Sequence, residues 1–280
     1  LGAIGPGCID AIQQHLPKLV PYMITLLNDE QPVVRQITCW ALSRFAGWAA
    51  ALDGDGKHQF FEPMMDGILQ RMLDQNKKVQ ESAASAFATL EEAASDQSRE
   101  MFPLLEALAY VATALGEGIT PFAKPFFDRC IRIMHQNLEE GLIASSDPIC
   151  EQPDKDFLVT SLDLLSAIIQ SVGEQNINML VTGAQPNMFE LLAYCMKDVN
   201  NDVRQSAYAL LGDCAIYIFS QLQQYLPTIM ELVIQQLDLN SASSDPSDPE
   251  SGFRVINNAC WSCGEIAMRA PPDVIAPYVD

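Results

Sequence analysis

The sequence is short of positive charge: 16 lysines and arginines face 36 aspartates and glutamates over 280 residues, a formal net charge of -20. Such a chain repels nucleic acid and attracts basic partners. Histidine is scarce too. His15, His58 and His135 lie far apart, and none has a cysteine or aspartate at metal-ligand spacing, so no metal site is expected. No run of 18 or more residues is both apolar and uncharged, which excludes an expected membrane span and reads as a soluble chain. The motifs G-x-x-x-x-G-K-S/T, G-x-S-x-G and H-E-x-x-H are absent. Acid pairs such as Glu91-Glu92 and Glu139-Glu140 have no basic or nucleophilic partner, so neither an enzyme nor a cofactor is expected. The opening L-G-A-I-G-P-G lacks the features of a signal peptide and begins without methionine, so a fragment of a longer protein is expected.

Cysteine is present but unpatterned. Cys8, Cys39, Cys130, Cys150, Cys195, Cys214, Cys260 and Cys263 are scattered through helical text, which suits thiols in a reducing compartment. The C-x-x-C of Cys260 and Cys263 falls inside a helix and lacks the βαβ setting of a redox motif.

What the chain has in quantity is a repeated phrase. In Asp29 to Trp48, D-E-Q-P-V-V-R-Q-I-T-C-W-A-L-S-R-F-A-G-W, an acid ends one helix, polar residues turn the chain, and a Val-Arg pair opens a second, apolar helix. The phrase returns at Asp74 with Val79-Gln80 and at Asp198 with Val203-Arg204. The steps between the valines are about one and about three units of roughly 40 residues, the period of HEAT and armadillo arrays. The expected fold is therefore all-α: a HEAT-repeat solenoid, a right-handed superhelix of antiparallel A and B helix pairs.

The helical pattern places A helices at 16–28, 60–73, 121–145, 176–197 (interrupted near Gly183 and Pro186) and 222–237. B helices are expected at 32–48, 77–95, 155–172, 202–220 and 252–270. The stretch 98–115 is B-like yet follows a B helix after only Asp96 and Gln97. Two successive B helices leave an apolar face uncovered. An odd number of helices, three by this reading, is therefore missing near Gln97/Ser98, and the array is divided into 1–97 and 98–280, truncated at both ends.

At about 100° per residue, with Val34 as zero, Thr38, Ala41 and Phe45 share the buried side of their helix, whereas Trp40 falls near 240°. Aligning T-C-W with A-C-W puts Trp261 near 240° from Val255, and the same ruler puts Asp163, Asp213, Glu81 and Glu92 at about 200° to 280°. Large aromatics interleaved with acids on the B-helix wall suit an extended basic peptide with apolar anchors. Trp48, at its helix end, reads as packing.

The texts I-T-C-W-A-L-S-R-F-A, V-Q-E-S-A-A-S-A-F-A-T-L-E-E, V-R-Q-S-A-Y-A-L-L-G-D and N-N-A-C-W-S-C-G-E-I resemble the karyopherin-β (importin-β-like) nuclear import receptors of the transportin class, over essentially the whole chain. The resemblance implies that the chain is the cargo-binding arch and binds nuclear localisation signals of the proline-tyrosine class. These are disordered segments with a basic or hydrophobic start and a C-terminal basic residue followed by Pro-Tyr. Carried over by position, Ile37, Trp40 and Glu92 belong to the subsite for the Pro-Tyr end, and Val159, Asp163, Asp213, Asn257, Asn258 and Trp261 to the subsite for the basic or hydrophobic part. Glu81 and Glu265 are further expected contacts of the signal peptide. Gln170 stands where the family can place a glutamate. The resemblance also implies a monomer shuttling between cytoplasm and nucleus, with Ran GTPase and nucleoporins as partners of the full-length parent and the Ran site absent here. The competing reading is a HEAT scaffold of a multiprotein complex, like those of phosphatases, which would bind partners on inter-repeat ridges.

Overall fold

In the computed structural model, the described residues are 12–52, 55–93, 101–146, 150–238, 248 and 250–278. In order, the helices are α1 (Leu16–Leu26), α2 (Pro32–Ser43), α3 (Ala46–Ala50), α4 (Glu62–Met72), α5 (Lys77–Ala93), α6 (Met101–Leu115) and α7 (Thr120–Ser146). They continue with α8 (Asp156–Ser171), α9 (Glu174–Gly183), α10 (Met188–Cys195), α11 (Asn201–Tyr217), α12 (Leu226–Leu237) and α13 (Ser251–Arg269). Among the described residues there is no β-strand, and the all-α HEAT-repeat expectation holds.

One turn precedes each of the B helices α2, α5, α8, α11 and α13. Asp29 Oδ1 accepts the Gln31 N–H at 2.8 Å, and the same bond recurs from Asp74 to Asn76 (2.9 Å), Asp154 to Asp156 (3.2 Å), Asp198 to Asn200 (2.9 Å) and Asp248 to Glu250 (3.2 Å). A carboxylate that takes the N–H two residues on closes a tight turn, so each aspartate reverses the chain just before α2, α5, α8, α11 or α13. The repeated phrase exposes the turns at Asp29, Asp74 and Asp198; those at Asp154 and Asp248 are hidden by different flanking text. Proline at the head of α2 and the Asn200 side chain, which accepts from the Asp202 and Val203 N–H groups, then complete the helix starts.

The chain divides into two compact units, Leu1–Leu104 and Leu105–Asp280. In the first, α2 and α5 form one layer, α1 and α4 the other. Leu42, Phe45, Phe87, Leu16, Met64 and Ile68 are fully buried between them. The A helices come close because α4 has Gly67, where an added Cβ would stand 2.6 Å from Leu27 Cδ1. The layers are tied along the turns: Arg35 spans one repeat, donating to both Asp74 carboxylate oxygens at 2.7 and 2.8 Å and to the Asp29 carbonyl at 2.8 Å. In the second unit α8, α11 and α13 form the B layer, backed by α7, α10 and α12. There Lys155 reaches Asp198 at 2.7 Å, and Arg204 donates to the carbonyls of Asp198 and Val199 as Arg35 does to those of Asp29 and Glu30.

Several boundaries differ from the sequence reading. The helix expected to run to Trp48 stops at Ser43, because fully buried Phe45 leaves the helical region at φ -107°, ψ 8°, and α3 restarts behind it. Trp48 packs in the core against Phe60, ring centroids 5.3 Å apart. Val34, taken as the centre of the buried side, is only half-buried. The helix expected to reach Ser220 ends at Tyr217, whereas the interruption expected near Gly183 and Pro186 is found, between α9 and α10. The junction at Gln97/Ser98 lies outside the described residues. No described helix is long and apolar enough to cross a membrane, no described cluster could hold a metal ion, and the described cysteines are free thiols.

Candidate functional site

Each unit carries one patch centred on a tryptophan of its B layer. On α2 the buried side is Thr38, Cys39, Ala41 and Leu42, which packs into the unit. One-third of a turn away, Val33, Ile37 and Trp40 sit at i, i+4 and i+7 and form an exposed apolar ridge, Ile37 at 56% and Trp40 at 46% of full accessibility. Beside it α5 presents exposed Glu81 and Ser85. The two helices are stitched by Ser82, whose hydroxyl donates to the Gln36 carbonyl at 2.8 Å. Glu92 lies in α5, and its side chain is outside the described residues.

The second patch uses the same register. Asn258 donates from Nδ2 to the Gln205 carbonyl at 3.0 Å, stitching α13 to α11 as Ser82 stitches α5 to α2. Trp261 is 40% exposed. Counted from each tryptophan, Val33 and Ile37 on α2 correspond to Arg254 and Asn258 on α13. The first patch is therefore apolar along its ridge and the second polar. Val159 is half-buried, while Asp163 and Asn257 are exposed. A groove of about 590 Å³ opens next to Asn257, lined by Gln205, Glu250, Phe253, Arg254, Asn257 and Asn258. Arg254 crosses it, donating to Asp248 at 2.6 Å and to Gln205 Oε1 at 3.0 Å. That hydrogen bond to Arg254 holds the Asp248 carboxyl below its ordinary range.

Three expected contact residues are placed differently from the sequence reading. Asp213 is not on an open wall: it is 7% exposed, because at its angle α11 abuts α8, and it accepts from the Ser166 hydroxyl and from Gln170 Nε2 (2.9 Å). Burial pushes its carboxyl pKa up, against the pull of those two hydrogen bonds. Asn258 has its amide committed to α11. Glu265 is half-buried and paired with Arg269 at 2.6 Å, one turn along the same helix. Sequence reasoning missed Phe253 and Arg254, which a four-residue step back from Asn257 and Asn258 would have found. It also missed Ser166, and it named Gln170 without its bond to Asp213, because both roles depend on a residue more than 40 positions away.

The geometry of Asp213 carries a prediction. A carboxylate held by two neutral donors is penalised when ionised. Its folded pKa is raised, so the penalty is full above that value and disappears as pH falls through it toward the unfolded value near 4. Asp213→Asn keeps an oxygen acceptor and removes the charge. It should raise the melting temperature of the second unit by a few degrees at neutral pH and change little at pH below about 4, read by thermal melts across pH.

Comparisons with known proteins place the chain among similar sequences. A family model of the HEAT-like repeat matches residues 1–45. Importin subunit beta-2 of Schizosaccharomyces pombe is 34% identical over 340 aligned positions that take in 98% of this chain and 36% of the relative. Human Transportin-1 is 32% identical over 345 positions, 100% of this chain and 36% of its own length. The chain thus spans about a third of the length of these relatives, and the alignments are longer than the chain's 280 residues because the relatives carry residues where it has none. Neither relative is named as an enzyme. Among solved structures, a designed armadillo repeat protein aligns with 88% of this chain and 99% of its own at a TM-score of 0.45 and 15% identity. Along its whole length the chain is homologous to transportin and importin-β2.

Proposed function

We propose that the chain is the signal-binding part of a nuclear import receptor that works between cytoplasm and nucleus, with Ran and nucleoporins as further partners of the full-length receptor. Its ligand is an extended, disordered, basic segment of the proline-tyrosine class. The observation that carries the reading is that Trp40 and Trp261 stand at matching positions of their B helices and are both about half exposed, while Trp48 is buried. An indole displayed on a helix layer costs solvation unless something covers it, and its face suits prolyl rings, aliphatic stems and guanidinium groups.

The apolar ridge of Ile37 and Trp40, with Glu81 and Glu92 from α5, is proposed to take the Pro-Tyr end of the signal. The patch of Val159, Asp163, Asn257 and Trp261 is proposed to take its basic or hydrophobic part, with carboxylates pairing to lysine or arginine and Asn257 to the peptide backbone. About three helices are proposed to be absent near Gln97/Ser98, between parts 1–97 and 98–280; that relatives carry residues where this chain has none is in keeping with this.

The test is a titration of a labelled disordered peptide with a basic start and an Arg-containing Pro-Tyr end, followed by anisotropy. Trp40→Ala and Trp261→Ala should each weaken binding about tenfold, since a disordered ligand concentrates its affinity in few anchors. Raising salt from about 0.05 to about 0.5 M should weaken it further, because the screening length shortens. A scaffold that uses inter-repeat ridges would ignore the peptide, and that result would overturn the reading.

A further inference from the structure

Gly212 lies buried in the middle of α11, where glycine is a poor helix former compared with alanine. Its φ is an ordinary helical one, so the backbone does not require glycine; the neighbouring helix does. A Cβ added there would stand 2.1 Å from Cζ3 of Trp261 and 2.6 Å from both Cε3 and Cη2. All three atoms belong to the six-membered ring of a rigid indole. At Gly67, by contrast, the obstacle is the tip of a flexible leucine, and Gly47, Gly173, Gly183 and Gly264 have nothing within 4 Å.

We infer that Gly212 is the positioning residue of the Trp261 patch. It lets the benzenoid edge of the indole settle onto bare α11 backbone and so fixes the height and tilt of the ring between α11 and α13. The opposite edge, which carries Nε1–H, points away from Gly212, and this donor has no hydrogen-bond partner among the described residues. A ring held this way offers a fixed face to a flat or slender group, a guanidinium plane or a prolyl ring, and a free donor to a peptide carbonyl. Any side chain at position 212 lifts the ring out of that seat. The inference rests on the reading of Trp261 as a ligand contact, but the seat itself can be measured without ligand.

The experiment uses Gly212→Ala, Trp261→Ala and the double variant, together with a Trp40→Phe/Trp48→Phe background in which Trp261 is the sole tryptophan. In that background Gly212→Ala should shift the emission of Trp261 to the red and raise its acrylamide quenching. In the otherwise native chain it should weaken the labelled peptide about tenfold, as Trp261→Ala does, and the double variant should be no weaker than Trp261→Ala alone. The melting temperature should change sign with context. Gly212→Ala lowers it when Trp261 is present and raises it in the Trp261→Ala background, where the clash is gone and only the gain in helix propensity remains.

Should Gly212→Ala not fold with Trp261 present, folding of the double variant shows that the indole was the obstacle, and failure of both overturns the seat. Unchanged emission and affinity in Gly212→Ala, or losses that multiply in the double variant, also overturn it. If Trp261→Ala leaves peptide binding intact, the ligand reading falls, while the emission shift and the sign reversal still decide the seat.

Discussion

Tyr208→Ala should destabilise the second unit by about 3–5 kcal/mol, the cost of emptying a large aromatic site in a packed core. The side chain is 1% exposed on α11, and its hydroxyl donates to the Leu232 carbonyl of α12 at 3.1 Å, tying the B layer to the A layer behind it. Burial raises the phenol's pKa, so it stays neutral at any working pH. Tyr208→Phe separates the two contributions. It keeps the ring and removes one hydrogen bond, so its cost should be about 1 kcal/mol. Chemical denaturation of both variants checks this, and equal losses would mean that the hydroxyl rather than the ring holds the layers.

In the first unit the largest effect is expected at Asp74. Its side chain is 3% exposed and collects Arg35 through both oxygens, Arg71 at 3.3 Å and the Asn76 N–H. Asp74→Ala leaves two guanidinium groups facing each other without their shared anion, and removing one member of a buried pair costs about 3 kcal/mol. The hydrogen bond from Arg35 is the main cause of a carboxyl pKa held below the ordinary aspartate value. The sign follows: the stabilisation is complete above the unfolded value near 4 and is lost as pH falls through the lowered folded value. Acid should therefore weaken the first unit through Asp74 while relieving the second at Asp213. Asp74→Asn, which can still accept from Asn76, should fall between wild type and Asp74→Ala in urea denaturation.

These residues also mark how far the sequence could be read. Period and polarity were legible because each repeat restates them: Asp29, Asp74 and Asp198 sit at fixed distances from the helices they start, and the T-C-W and A-C-W texts align two tryptophans that the structure leaves half exposed. Helix ends were less legible, because Phe45 leaves helical geometry to bury its ring in a core formed by other helices. Asp213 was misplaced for a related reason. An angle of about 100° per residue orients a side chain around its own axis and says nothing of which neighbour reaches it. Whether a carboxylate at the edge of the wall meets water or Gln170 is decided between repeats. Gly212 carried no signal of its own, since its meaning lies in an indole on another helix.

The closure over Asp213 has a consequence for how this family can vary. Gln170, exposed at the end of α8, supplies an amide N–H where a glutamate would supply a second anion, whose repulsion would push the already raised carboxyl pKa of Asp213 further up. A drift from amide to acid at 170 would remove a donor from Asp213 and favour either a proton on Asp213 or an acid turned outward to water. The two sites should therefore change in concert among relatives, with an acid at one accompanied by an amide, a small residue or a compensating cation at the other.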